Sequence, residues 1–349
     1  MGWEKKSRAD DSRALMSDAL DAFLGKVDKK PLQDFVRFAK EHTELELCLR
    51  GNSKDNPRIS IYCNNHIIFT VCTTGKVVVS FNHARYCENW RYYYDSLVNK
   101  YGFRGTIKNT ESGIDVGEMT RTLRCNEAMN LNQIDALYED VLQPMFYRYF
   151  EVEGKEGIVD YFKDGKTVSV SGKTEKRIQQ KLYHQFAYQE DGYFFYDLEF
   201  AQRHGSMEEQ ACDTSNNKPD MLALRFDAQG KPEKIVFVEV KSTEAAMRGT
   251  SGISEHIEKM EAYDKLHERR VEACQIMNQY ALLGLRGLSG KSYNHDDFKN
   301  LPREILLIFT GEAAEIWEND PEFEKDRQQT DKIDTPQGVD AVLYIAKSK

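Results

Sequence analysis

The sequence predicts an α/β chain, α+β overall, in two domains. An amino-terminal α+β domain carries an antiparallel meander, and a carboxy-terminal domain carries a mixed central sheet flanked by helices. Three observations lead there. Between residues 45 and 82, short apolar runs alternate with polar residues and are separated by turn residues. After residue 173 the pattern becomes helix, strand, strand, strand, helix, strand. Finally, 349 residues of which 40% are hydrophobic, with 18 Tyr and 18 Phe, can bury the cores of two domains.

Residues 1–42 read as helical. Leu15, Leu20, Phe23 and Leu24 form a partial stripe, and Pro31 opens a second helix carrying Leu32, Phe35, Val36 and Phe38. Leu45, Leu47 and Leu49 alternate with polar residues, as do Ile59, Ile61 and Cys63. The runs HIIFTVC (66–72) and KVVVSFN (76–82) complete the meander. Residues 91–100 and 132–149 read as helices. Ile134, Leu137 and Val141 have core-facing spacing, and Pro144 should kink the second helix. Residues 151–172 are rich in Gly and Lys and hold an Asp164-Gly165 turn, so they read as a linker or hairpin between residues 1–150 and 173–349. In the second domain, 174–186 is an amphipathic helix and 192–200 a strand. Residues 218–226 and 235–243 form a hairpin, 253–284 one long helix, and 304–310 a strand.

The net charge is −9, and the acid excess gathers in GEAAEIWENDPEFEKD (311–326). Overall charge therefore does not identify a nucleic-acid partner; local patches must. Seven cysteines without a CxxC pair argue against a disulfide framework or a zinc site and for a cytoplasmic protein. No long apolar run suggests a membrane span. The aromatic stretch HARYCENWRYYY (83–94) reads either as a base-stacking platform or as a helix start packing into the core.

The hairpin holds the chemistry. If its loop is symmetric about Gly230–Lys231, Asp220 faces Lys241 and Leu222 faces Glu239. Opposed residues share a face, so Asp220, Glu239 and Lys241 project together. Two carboxylates and an ammonium flanked by Ile235-Val236-Phe237-Val238 are costly to desolvate without partners. A divalent cation supplies one. Two carboxylates with a backbone carbonyl, that of Val240, suit Mg²⁺ or Mn²⁺. Such a cation activates water, and Lys241 can stabilise charge on a phosphoryl group.

Pro219-Asp220, eighteen intervening residues, then Glu239-Val240-Lys241 resembles the PD-(D/E)XK, or restriction-endonuclease-like, nuclease superfamily. The resemblance covers residues 173–310, and VEVKST looks like the corresponding strand of archaeal-type Holliday junction resolvases. It implies a restriction-endonuclease-like core, with Asp220 and Glu239 as metal ligands and Lys241 as the catalytic lysine. The superfamily often adds an acid from the first helix. Glu175 fits that place, and Glu199 on the first strand competes with it. Gln275 and Tyr280 are compared with the Gln/Tyr motif of RecB-like members, but their spacing is one residue wider.

Lys173, Lys176 and Arg177 on the first helix, and Ser242, Thr243 and Arg248 after the catalytic strand, are candidate phosphate contacts. His256 and His295 are lone histidines, read either as an acid or base or as structural residues. The expected function is Mg²⁺-dependent phosphodiester hydrolysis, by a DNA endonuclease first of all, with a homodimer as a possible assembly. Two alternatives stay open. One is a non-catalytic nucleic-acid-binding or scaffold module that keeps the fold. The other is an RNA-directed or ligand-gated nuclease using residues 1–150 as sensor.

Overall fold

A computed structural model of the chain describes residues 33–42, 45–50, 58–63, 66–72, 76–82, 95–104, 120–143, 160–163, 166–169, 172–188, 192–198, 219–248, 252–263 and 266–347. The helix expected before Pro31, residues 64–65 and the stretch 83–94 lie outside the described residues. The chain divides into two compact units, with the division after Gln180.

In the first unit, α1 (Gln33–Glu41) buries Phe35, Val36 and Phe38, as the apolar spacing after Pro31 requires. Strands β1 (Glu46–Arg50), β2 (Arg58–Cys63), β3 (His66–Cys72), β4 (Lys76–Asn82), β5 (Phe103–Arg104) and β6 (Thr120–Ala128) follow. They form one antiparallel sheet in the order β1-β2-β3-β4-β6-β5. Alternation predicts a half-exposed β1, yet Glu46 and Cys48 are buried along with Leu47 and Leu49. Both faces of that strand are therefore covered. Of the helix expected over 91–100, residues 91–94 lie outside the described residues, and Ser96–Lys100 forms a wide turn. Asn130 and Gln133 form a capping box that opens α2 (Leu131–Leu137), which continues as a wider turn to Leu142. Ile134, Leu137 and Val141 are fully buried, and Tyr138 meets Phe38 edge-on at 5.4 Å. Pro144 lies outside the described residues.

A two-residue connection joins β7 (Asp160–Lys163) to β8 (Lys166–Ser169), as the Asp-Gly signal predicts. Next comes α3 (Gly172–Gln185).

The second unit is a mixed sheet flanked by helices. Its elements are β9 (Gly192–Leu198), β10 (Met221–Phe226), β11 (Pro232–Lys241), α4 (Ile253–Glu261), α5 (Leu266–Leu283), α6 (His295–Phe298), β12 (Arg303–Phe309), α7 (Gly311–Asn319), α8 (Glu324–Gln328), β13 (Thr330–Ile333) and β14 (Val342–Ala346). The order across the sheet is β13-β14-β12-β11-β10-β9. Only β11 and β12 pair in parallel; the other pairs are antiparallel. Ile235–Lys241 and Glu304–Phe309 are buried throughout. Those runs fit central strands covered on both faces. Phe309 stacks on Trp317 of α7 at 4.4 Å, closing one end of the core.

The single helix expected over 253–284 is two. The break falls after Ala262, where the Tyr263 ring turns onto Phe237 at 5.2 Å and 90°. The guanidinium of Arg303 takes up the loose carbonyls of Met260, Glu261 and Tyr263. A side chain thus supplies what the next helical turn would have supplied.

Candidate functional site

The site is built on the β10–β11 hairpin. Sequence symmetry predicts Asp220 opposite Lys241, but the structure pairs Met221 with Val238 and Leu222 with Phe237, two residues away from that register. The turn explains the difference. Asp227 Oδ1 accepts from the N–H groups of Gln229 and Lys231, at 2.9 and 2.8 Å. Gly230 adopts a φ of 71°, and the ladder is irregular between Arg225 and Phe226. A shift of two residues preserves the face, because side chains alternate with period two. Asp220, Glu239 and Lys241 therefore still project together, and Asp220 comes level with Glu239.

Glu239 and Lys241 have side chains only 4% and 6% exposed, and Lys241 Nζ donates to Glu239 Oε1 at 2.7 Å. His256 Nδ1 of α4 lies 3.0 Å from the same oxygen. The other oxygen, Glu239 Oε2, is buried and has no hydrogen-bond partner among the described residues. Asp220 is half-buried, and its Oδ2 accepts from the Val240 N–H at 2.8 Å. That bond ties the end of β10 to the strand carrying the other two residues.

A buried carboxylate oxygen without a donor, beside a second carboxylate and a peptide carbonyl, is a donor set that suits a hard divalent cation. Asp220, Glu239 and Val240 fit that role. Among the described residues, no three His, Cys, Asp or Glu side chains converge as a metal cluster. Of the two expected third acids, Glu199 lies outside the described residues. Glu175 lies in the first turns of α3 with Lys173, Lys176 and Arg177, where the side chains fall outside the described residues.

The structure brings in Asp197, which the sequence reading did not name, and places His256, which it named only as a lone histidine. Asp197 of β9 pairs across the sheet with Leu222 and is 1% exposed. Alternation along β10 gives Leu222 the same face as Asp220, so Asp197 shares it. The signal was one acid in an otherwise apolar strand. His256 is the second group. It lies in the helical stripe of Ile253, Ile257 and Met260, all buried. A titratable residue in a core-facing stripe marks a group with a buried partner. Deeper in this region, Arg269 and Glu272 form a buried ion pair on α5. Burial, reinforced by the charge of Glu272, holds the Tyr196 hydroxyl well above its usual pKa.

The remaining candidates have plainer positions. Ser242 is buried at the end of β11, and Thr243 starts the short turn Glu244–Met247. Arg248 is engaged by Glu244, Asp320 and Glu322, and its guanidinium lies 5.3 Å from the centre of the Phe323 ring. Its charge is thus directed at three carboxylates. Tyr280 is fully buried and donates to the Tyr196 carbonyl at 3.2 Å, while Gln275 is exposed, so the two do not act as a pair. His295 is exposed at the start of α6.

Comparison with protein-family models, curated sequences and solved structures returns no significant match. Among the described residues, no helix is long and apolar enough to cross a membrane.

Proposed function

We propose that the chain is a Mg²⁺- or Mn²⁺-dependent nuclease with a restriction-endonuclease-like core of the PD-(D/E)XK kind, hydrolysing phosphodiester bonds with DNA as its preferred substrate. The observation that carries this reading is buried Glu239. One of its oxygens accepts from Lys241 and lies 3.0 Å from His256 Nδ1, and the other has no hydrogen-bond partner among the described residues. The group lies at the carboxyl end of β11, whose neighbour β12 runs parallel to it. Ligands of open α/β sheets bind at such strand ends. Asp220, Glu239 and the Val240 carbonyl would hold the cation, with Glu199 or Glu175 as a third acid. A divalent cation bound there supplies a Lewis acid and an acidified water. Lys241 carries the fixed positive charge that offsets charge growing on the phosphoryl oxygens. Asp220, fixed through the Val240 N–H, keeps the two carboxylates in register.

A second reading has an observation of its own. Lys241 is closed onto Glu239, which would equally suit a binding or scaffold module that keeps the fold without the chemistry. One experiment separates the two. Purified protein is incubated with supercoiled plasmid, circular single-stranded DNA, linear duplex or RNA, in Mn²⁺, Mg²⁺ or EDTA. We expect metal-dependent cutting of circles, abolished by EDTA. It should fall at least ~10²-fold in Lys241→Ala and Asp220→Ala, the scale of losing one transition-state stabiliser. Double-strand breaks without a nicked intermediate would add a homodimer to the reading. RNA cleavage alone would change the substrate. Cleavage undiminished in both variants would sink this site, and no cleavage of any substrate would favour the module.

A further inference from the structure

We infer that His256 is a positioning residue of this site: its Nδ1–H anchors one oxygen of Glu239 and leaves the other for a divalent cation. The inference rests on the metal-site reading above and extends it to a residue outside the hairpin.

The placement begins with α4. Its apolar stripe of Ile253, Ile257 and Met260 is buried, and His256 stands within that stripe. The helix is held near both ends. Ser254 Oγ donates to Asp326 Oδ1 at 2.6 Å, and Arg303 donates to the carbonyls of Met260 and Glu261. The imidazole is therefore presented by a fixed element rather than by a loop.

The pairing follows from atoms. Nδ1 of His256 lies 3.0 Å from Glu239 Oε1, and a carboxylate oxygen can only accept, so the assigned pairing places the proton on Nδ1. Lys241 Nζ donates to the same oxygen at 2.7 Å. Neutralising Glu239 would be served as well by one donor on each oxygen. Instead both groups lie at Oε1, and Oε2 is buried with no hydrogen-bond partner among the described residues. His256 also keeps Glu239 in place when Lys241 turns to a substrate phosphate. Outer partners of this kind orient metal-binding carboxylates.

Mn²⁺ binding to the full-length protein, measured by titration calorimetry, tests the assignment without reference to turnover. The variants are His256→Ala, His256→Asn, His256→Gln and Glu239→Gln, with circular dichroism as the check on folding. Asparagine places an amide N–H near the Nδ1 position, and glutamine reaches toward Nε2. We expect His256→Ala to weaken Mn²⁺ binding roughly 10–100-fold. His256→Asn should restore it to within a few-fold of the parent, and His256→Gln should not. Parent-like affinity in a folded His256→Ala protein would overturn the inference while leaving the metal site standing. So would rescue by glutamine and not asparagine, which would make Nε2 a direct ligand. If His256→Ala does not fold, His256→Asn decides alone: parent-like binding supports the assignment, and binding as weak as in Glu239→Gln overturns it. Parent protein without Glu239-dependent Mn²⁺ binding removes both the metal reading and this inference.

Discussion

Glu239 and Lys241 face each other with almost no solvent, their side chains 4% and 6% exposed. Both charges have given up hydration, and their attraction repays it only while both are present. Lys241→Met should therefore destabilise the protein by about 3–5 kcal/mol, because it strands a buried carboxylate. The double variant Glu239→Gln/Lys241→Met should recover most of that loss, since no charge is left unpaired. Urea unfolding of the four proteins closes the cycle, and simple additivity would refute the coupling. At this scale the shared face of Asp220, Glu239 and Lys241 was legible in the sequence. Their shared face depends only on period-two alternation, which survived a register error of two residues. Asp197 was not singled out in the sequence, and His256 was named there only as a lone histidine. Their positions depend on which strand lies beside β10 and which helix covers β11, and both are set by tertiary packing.

The apolar stripe over 253–284 runs on as if one helix carried it, and periodicity cannot register a break that keeps the same face toward the core. The break is made by Arg303, about forty positions further along the chain in a strand of its own, donating to three carbonyls around the end of α4. Hydrogen bonds from a charged donor are each worth about 1.5–3 kcal/mol. Arg303→Met should thus destabilise the protein by at least ~2 kcal/mol, and α4 should shift with the loss. Because α4 carries His256, Mn²⁺ affinity should fall as well, although Arg303 touches no candidate ligand. Calorimetry on the folded variant checks this, and unchanged affinity would show that α4 is placed by its apolar face alone. Strand β14 is a related case. Val342–Ala346 is a plain apolar run, but its partner β13 carries Asp331 and Lys332 and has no strand pattern. An edge strand is recruited by its neighbour's free backbone groups and needs few apolar residues of its own.

At the scale of the molecule, the two described units each have a sheet and a core. Phe38, Phe69 and Tyr138 close one; Phe309, Trp317 and Tyr344 close part of the other. The mixed sheet with flanking helices and the antiparallel meander were both readable, because each follows from apolar runs and turn residues close together in sequence. Two separate cores imply two cooperative transitions on heating. A cation held by Asp220 and Glu239, as proposed, would bind one folded unit and add stability to that unit only. At a metal concentration about 100 times Kd the gain is ~2.7 kcal/mol, or roughly 5–10 °C for a unit of this size. Scanning calorimetry with Mn²⁺ should therefore move one transition and leave the other in place. Hydrogen exchange should locate the added protection in peptides from β10, β11 and α4. Glu239→Gln should abolish the shift without merging the transitions. If both transitions moved together, the units would unfold as one, and their separate cores would not be thermodynamically independent.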